Sequence, residues 1–110
     1  MYAGQKIKIG DEEFVVPPLS LGQLRNGLLA KLKEHDELLA KGNGFFDLMD
    51  LRGAIILEAL RRNYPNFAEE KLFGFLDLGN TATIWSAVLG LTGFTVGEEK
   101  AATTAMIGGT

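Results

Sequence analysis

The single histidine of this 110-residue chain is its first candidate for acid–base chemistry. His35 lies between Glu34 and Asp36, and a histidine that is oriented by a carboxylate can act as a general base near neutral pH. A base also needs a nucleophile or substrate group to act on, and the sequence offers no convincing set of serine, histidine and acid. A lone histidine among charged residues is more often a solvated helix residue. We therefore predict that His35 lies at the surface and takes no part in catalysis.

Two aspartates three residues apart form a candidate cation site. Asp47 and Asp50 would share one face of a helix, where a hard cation could bind to their carboxylates. The next acid on that helix, Glu58, lies about two turns farther along. Acids at the start of a helix also complement the helix dipole, which requires no ion. We therefore predict that these aspartates bind no metal.

The basic residues and the glycines are the remaining candidates for ligand binding. Arg61, Arg62 and Lys71 could contact a phosphate, but basic residues in a last helical turn are ordinary partners of the helix dipole. The glycines fit neither a phosphate-binding loop nor a dinucleotide-binding motif. Cysteine is absent, which excludes disulfides, thiolate metal sites and a cysteine nucleophile. The sequence therefore predicts a protein that is not an enzyme and needs no cofactor.

The composition is that of one soluble globular domain. Hydrophobic residues make up 46% of the chain and charged residues 23%, and the net charge of −3 leaves no basic face for nucleic acid. The N-terminus lacks the apolar run of a signal peptide, and no apolar stretch approaches the roughly 18 residues that a spanning helix needs. We therefore predict a cytoplasmic protein that binds neither nucleic acid nor a membrane.

A β-hairpin is predicted over about residues 6–16. Ile7 and Ile9 alternate with Lys6 and Lys8, as in a strand with one buried face. The pair Gly10–Asp11 supplies turn chemistry before a second apolar run. Two prolines then prevent further strand pairing.

Four helices are predicted after the hairpin from apolar residues that recur every three or four positions. They lie near residues 20–40, with a break near His35, and near 45–63, 67–77 and 81–91. The second has the widest apolar arc and is predicted to be central. The predicted core consists of Leu24, Leu28, Leu32, Met49, Ile56, Leu60, Leu72, Leu76, Trp85, Val88 and Leu89.

Capping signals set the predicted helix starts. Ser20 with Gln23, and Asn66 with Glu69, match the capping box, and Asn80 is a suitable N-cap for the last helix. Stop signals are Lys41–Gly44, Pro65 and Gly93. The fold class is therefore mainly α, with an N-terminal β-hairpin followed by a small bundle of about four helices. Residues 1–94 form a single domain, and residues 95–110 are predicted to be a flexible C-terminal tail.

The last helix carries the predicted partner-binding site. Its only tryptophan lies on an apolar stripe, next to the predicted flexible tail. A tryptophan at such spacing is usually a core residue, but aromatic anchors also dominate protein interfaces. We predict that part of this face contacts a partner, and its residues are Ile84, Trp85, Val88, Leu91 and Phe94.

Two segments of the chain together carry a family resemblance. The first is Phe-Val-Val-Pro-Pro-Leu-Ser-Leu-Gly-Gln-Leu, from Phe14 to Leu24. The second is Leu-Gly-Asn at 78–80, followed by Trp-Ser-Ala-Val-Leu-Gly-Leu-Thr-Gly-Phe at 85–94. With the order of features between them, they resemble the tail assembly chaperones of long-tailed bacteriophages and prophages. The resemblance covers about residues 6–94, and its motifs are structural rather than catalytic.

The resemblance implies a function in the cytoplasm of the bacterial host. It implies a small, largely helical protein that is needed for tail assembly, is absent from the mature virion, binds the tape-measure protein and helps to recruit tail-tube subunits. It implies no enzyme activity. The alternative is a structural or adaptor subunit, for tail completion or head–tail joining, that is retained in the particle. Homo-oligomerisation is left open by the sequence.

Overall fold

The structure of the protein is a computed structural model that describes residues 1–94. This part of the chain is mostly helical, with four helices behind an N-terminal two-stranded antiparallel hairpin, as the sequence predicts. The predicted C-terminal tail, residues 95–110, lies outside the described residues.

The hairpin consists of β1 (Gln5–Ile9) and β2 (Glu12–Val16). The register pairs Ile7 with Phe14, so the apolar side chains of both strands share the buried face. Gly10 begins the two-residue turn with a φ of +65°, a conformation that glycine adopts without a Cβ clash. The predicted hairpin is thus confirmed.

The first helix is interrupted at Gly27, whose backbone conformation is not helical. It begins with α1 (Leu21–Gln23), continues as a π-helical segment (Leu24–Leu28) and ends with α2 (Leu29–Lys41). The predicted capping box is confirmed, because Ser20 Oγ accepts from the Gln23 amide at 3.0 Å and the Gln23 side chain accepts from the Ser20 amide at 2.9 Å. The break lies at Asn26 and Gly27, where Gly27 has a φ of +134°, rather than near His35.

The central helix is α3 (Phe45–Leu60). Ile55, Ile56, Ala59 and Leu60 have no exposed surface, because α3 contacts α2, α4, α5 and β2. The helix ends three residues before the predicted boundary at 63, and residues 61–63 form turns ahead of Pro65.

The last two helices are α4 (Glu69–Phe75) and α5 (Leu78–Thr92), and both predicted N-caps were wrong. Ala68, not Asn66, precedes α4, and no side chain caps that helix. Asp77 caps α5, and Asn80 is the third residue inside it. Asp77 Oδ1 accepts from the Asn80 amide at 2.8 Å, and the Asn80 side chain accepts from the Asp77 amide at 2.8 Å. The helix therefore begins earlier than residue 81 because a reciprocal capping box forms at 77–80.

One hydrophobic core joins the hairpin to the helices. Most of the predicted core is buried, and Leu24 and Leu76 are half-buried against it. Met49 is half-buried and lies outside the core cluster. The predicted core residues that are buried are Leu28, Leu32, Ile56, Leu60, Leu72, Trp85, Val88 and Leu89.

Within the described residues, no single helix is long and apolar enough to cross a membrane. Taken together, α4 and α5 have the necessary length and composition, but they are bent by 116° at the break between them.

Candidate functional site

The predicted partner-binding residues do not form one accessible face. Ile84, Trp85 and Val88 are buried, with at most 3% of their surface exposed. They face the core because α5 packs against α3 and β1. Leu91 is 47% exposed, and Phe94 is half-buried against the core. The first three are therefore core residues in this fold, and a binding role for Leu91 and Phe94 stays a prediction.

The expected surface position of His35 was wrong. Its side chain is only 1% exposed, and its ring lies against the indole of Trp85 with 4.7 Å between the ring centroids. His35 Nε2 accepts a hydrogen bond from Arg52 Nε at 2.9 Å, and Nδ1 lies 3.1 Å from Asp36 Oδ1. The reason is helical geometry, since His35 shares the buried face of α2 with Leu32.

The hydrogen bonds define the charge state of His35. An arginine only donates, so Nε2 must be unprotonated and Nδ1 carries the proton toward Asp36. Burial lowers the pKa of His35, and the Arg52 charge adds to this effect, while the hydrogen bond to Asp36 opposes it. The imidazole is therefore neutral at pH 7, and both ring nitrogens are engaged within the protein.

The basic candidates Arg61 and Arg62 form hydrogen bonds to backbone carbonyls of other segments. Arg61 donates from Nε and Nη2 to the Phe67 carbonyl at 3.0 and 2.7 Å. Arg62 donates to the Pro18 carbonyl at 2.6 Å, and its guanidinium lies 3.8 Å from the ring centroid of Tyr2. Their hydrogen-bonding groups are thus directed at loop carbonyls rather than at an open anion site.

Lys71 and the aspartate pair are the other two candidates from the sequence. Lys71 forms an exposed ion pair with Glu12 at 3.5 Å and lies over the Phe14 ring. Asp47 and Asp50 are exposed, and residues 1–94 contain no group of three histidine, cysteine or acidic side chains that could hold a metal ion. Asp50, however, lines a groove that the sequence did not predict.

This apolar groove lies between the start of α3 and the corner where α4 meets α5, and its volume is about 450 Å³. Phe46 and Leu78 project from its walls with 79% and 68% of their surfaces exposed, and Phe45 is 48% exposed. Large exposed apolar side chains that cluster in this way mark binding surfaces in soluble proteins. The groove is lined by Phe45, Phe46, Met49, Asp50, Phe73, Leu76, Asp77, Leu78 and Thr81.

Local sequence explains why these side chains are exposed. Phe45 and Phe46 are the first two residues of α3 and lie outside the core cluster, which on this helix begins at Ile55. Their rings pack edge to face instead, with centroids 5.4 Å apart. Leu78 is the first residue of α5 and follows directly on the Asp77 cap.

A close approach between α3 and α4 fixes the floor of the groove. A Cβ on Gly53 would lie 2.4 Å from Cζ of Phe73, so only glycine lets this ring reach the α3 backbone. Phe73 and Leu76 are half-buried and complete the apolar lining. The shape of the groove therefore depends on a residue of α3 that lies outside it.

The charged residues of the groove are both acids. Asp50 and Asp77 line it, and none of the lysines or arginines of residues 1–94 does so. One oxygen of Asp77 accepts the Asn80 amide, whereas Asp50 has no hydrogen-bond or ion-pair partner among residues 1–94. The groove therefore combines apolar contact area with negative charge.

The sequence contained part of this signal. The adjacent pair Phe45 and Phe46 lies at a helix start and outside the predicted core. Leu78 lies between the predicted helices at 67–77 and 81–91, whereas α5 begins at this residue. The groove can bind an apolar segment without covalent chemistry.

No family model, curated protein or solved structure matches this chain.

Proposed function

We propose that the protein is a tail assembly chaperone of a long-tailed phage or prophage. In this role it binds the tape-measure protein in the host cytoplasm and assists assembly of the tail tube, without catalysis. The observation that carries the proposal is the apolar groove, in which Phe46 and Leu78 are 79% and 68% exposed. The small helical bundle would serve as the scaffold that positions them.

The physical need for such a protein comes from its proposed partner. A tape-measure protein presents long amphipathic helices before the tube encloses them, and exposed apolar helices aggregate. Burial of a leucine or phenylalanine side chain contributes about 1.5 to 3 kcal/mol. Two or three such anchors contribute about 3 to 9 kcal/mol before the entropy cost of association is subtracted, so the resulting contact is reversible, as an assembly factor requires.

The two segments that resemble the family also contact each other. The Leu19 amide, in the first segment, donates to the Thr92 hydroxyl, in the second, at 3.0 Å. The Thr92 hydroxyl donates in turn to the Val88 carbonyl at 2.7 Å. The two segments that carry the resemblance, far apart in the chain, thus contact each other in this fold.

Co-expression tests the proposal. Produced together with the tape-measure protein of its own phage or prophage, the chain should raise that protein's soluble fraction and co-purify with it. The double variant Phe46→Ser, Leu78→Ser should lose both effects. The matched control Leu29→Ser removes another exposed apolar side chain, on α2, and should keep them.

Two results would contradict the proposal. If the tape-measure protein did not co-purify with the wild-type chain, the proposed chaperone function would be contradicted. Detection of the chain in purified particles at the copy number of a tail component would favour a retained adaptor subunit instead.

A further inference from the structure

We infer that the groove is built for a cationic amphipathic helix. The apolar stripe of that helix would contact Phe46 and Leu78, and a lysine or arginine beside the stripe would pair with Asp50 and Asp77. This inference rests on the proposed function and adds to it the chemistry of the segment that is recognised.

The walls of the groove supply its apolar contacts. Phe46 and Met49 are three residues apart on α3, and Leu78 and Thr81 are three residues apart on α5, so each helix presents one turn to the groove. Phe73 and Leu76 form the apolar floor between them. Apolar residues at i, i+3 or i+4, and i+7 of a bound helix match a groove of this kind.

The negative charge of the groove favours a bound helix that carries positive charge. Among residues 1–94, the charged residues that line it are Asp50 and Asp77, and neither forms an ion pair within that part of the chain. The N-termini of α3 and α5 each contribute about half a positive charge at most, so the two carboxylates still leave the groove negative. Electrostatic complementarity therefore favours a cation next to the bound apolar stripe.

The same charge disfavours other occupants. A second copy of the chain, docked groove to groove, would bring two more carboxylates against Asp50 and Asp77. Residues 95–110 contain Glu98 and Glu99 against the single Lys100, so this segment is also net negative. An anionic lipid surface would be repelled in the same way. A cationic helix is the occupant that gains from both the apolar and the acidic side chains.

Two synthetic peptides test the inference with the 110-residue chain. Both would be about 18 residues long, above the ~12–15 residues below which isolated helices are marginal in water. They would share one leucine stripe, flanked by lysines in the first peptide and by glutamates in the second. Fluorescence anisotropy of labelled peptides gives the two Kd values, and the lysine peptide should bind at least tenfold more tightly at low salt. This preference should shrink as the salt concentration rises.

Variants of the groove then locate the site. Asp50→Asn should weaken the lysine peptide by about 1.5- to 5-fold, the range of an exposed ion pair. Asp77→Asn should act similarly while keeping the helix cap, since asparagine caps as well as aspartate. Asp50→Lys should shift the preference toward the glutamate peptide. Phe46→Ser should weaken both peptides about tenfold or more. The matched controls Glu37→Gln and Leu29→Ser, exposed on α2, should leave both Kd values unchanged.

The outcomes separate this inference from the proposed function. Equal binding of the two peptides, no binding of either, or a preference unchanged in Asp50→Lys would overturn the inference. If the tape-measure protein still co-purifies in those cases, the chaperone function stands without this recognition chemistry. If the lysine peptide binds in the groove but the tape-measure protein does not co-purify, the inferred recognition of a cationic helix is retained and the proposed chaperone function is contradicted. A dimer that dissociates in Phe46→Ser would assign the groove to a second copy and contradict the inference.

Discussion

Arg52 Nε donates a hydrogen bond to Nε2 of His35 over 2.9 Å, and this contact ties α3 to α2 in the interior. Both side chains lie against the indole of Trp85, with the guanidinium 5.4 Å from that ring centroid. Because arginine remains protonated, the bond exists only while Nε2 of His35 is unprotonated. The contacts between α2 and α3 therefore include a buried hydrogen bond that requires a neutral imidazole.

The first prediction concerns the pH dependence of stability. Burial lowers the pKa of His35 in the folded state, and the unfolded chain has the ordinary value of about 6.5. Between these two values the unfolded state binds more protons, so protonation favours unfolding. The contribution of neutral His35 is complete above about pH 6.5 and is lost as the pH falls through the folded-state pKa. Urea unfolding measured between pH 7.5 and 5.5 should therefore show a free energy that falls below about pH 6.5, by at most about 1.4 kcal/mol per pH unit from this group.

The control for this prediction is His35→Gln, which removes the titrating group and keeps a polar side chain. Its free energy of unfolding should be lower at pH 7.5 and nearly flat over the same range. An equal slope in wild type and variant would assign the pH dependence to other groups.

The second prediction tests the central position of α3. Ile56 has no exposed surface, so Ile56→Ala should lower the free energy of unfolding by about 2 to 5 kcal/mol through lost burial and a residual cavity. Leu29→Ala, at a residue that is 56% exposed, should cost less than about 1 kcal/mol. Denaturant midpoints of the two variants give the comparison, and similar losses would mean that α3 is not the centre of the core.

The third prediction concerns the contact between Gly53 and Phe73. A methyl group at Gly53 would lie 2.4 Å from Cζ of Phe73, so Gly53→Ala should cost about 1 to 3 kcal/mol by overpacking. Phe73→Leu in the same chain should recover part of that loss, because the shorter side chain leaves room for the methyl group. A double-mutant cycle measures the coupling, and strictly additive effects would show that the two residues do not touch.

Local signals in the sequence were enough for the hairpin and for most helix positions. The Ser20–Gln23 capping box, the Gly10 turn and the Gly93 stop each depend on residues within a few positions of one another. The last helix also ends as a Schellman motif, with the Phe94 amide donating to the Leu89 carbonyl at 2.8 Å. These elements are specified by short-range chemistry, which a single sequence displays.

The buried histidine and the groove depend on contacts between distant segments. Flanking charges suggested that His35 is exposed, but its partner Arg52 is 17 residues away on another helix. The groove forms only because the α4–α5 corner lies beside the start of α3. The Asp77 cap was missed for a different reason, since Asp77 and Asn80 are both good N-caps and the sequence does not decide between them.

The fourth prediction separates these two capping assignments. Asp77→Ala removes the acceptor for the Asn80 amide and should cost about 0.5 to 2 kcal/mol, whereas Asp77→Asn should be nearly neutral. Thermal unfolding followed by circular dichroism measures both. If Asp77→Ala were as stable as the wild type, the cap would contribute nothing to α5.

The fifth prediction locates partner binding on the groove rather than on the Trp85 face. Trp85 is 3% exposed, so Trp85→Ala should lower the free energy of unfolding by about 3 to 5 kcal/mol and reduce binding only through loss of folded protein. Phe46 is 79% exposed, so Phe46→Ser should leave the thermal midpoint nearly unchanged. It should nevertheless abolish most co-purification of the tape-measure protein, because the ring gains burial only in the complex. Normal co-purification by a stably folded Phe46→Ser chain would contradict this prediction. It would favour binding through Leu91 in the last helix and Phe94 just beyond it, the predicted binding residues that retain exposed surface.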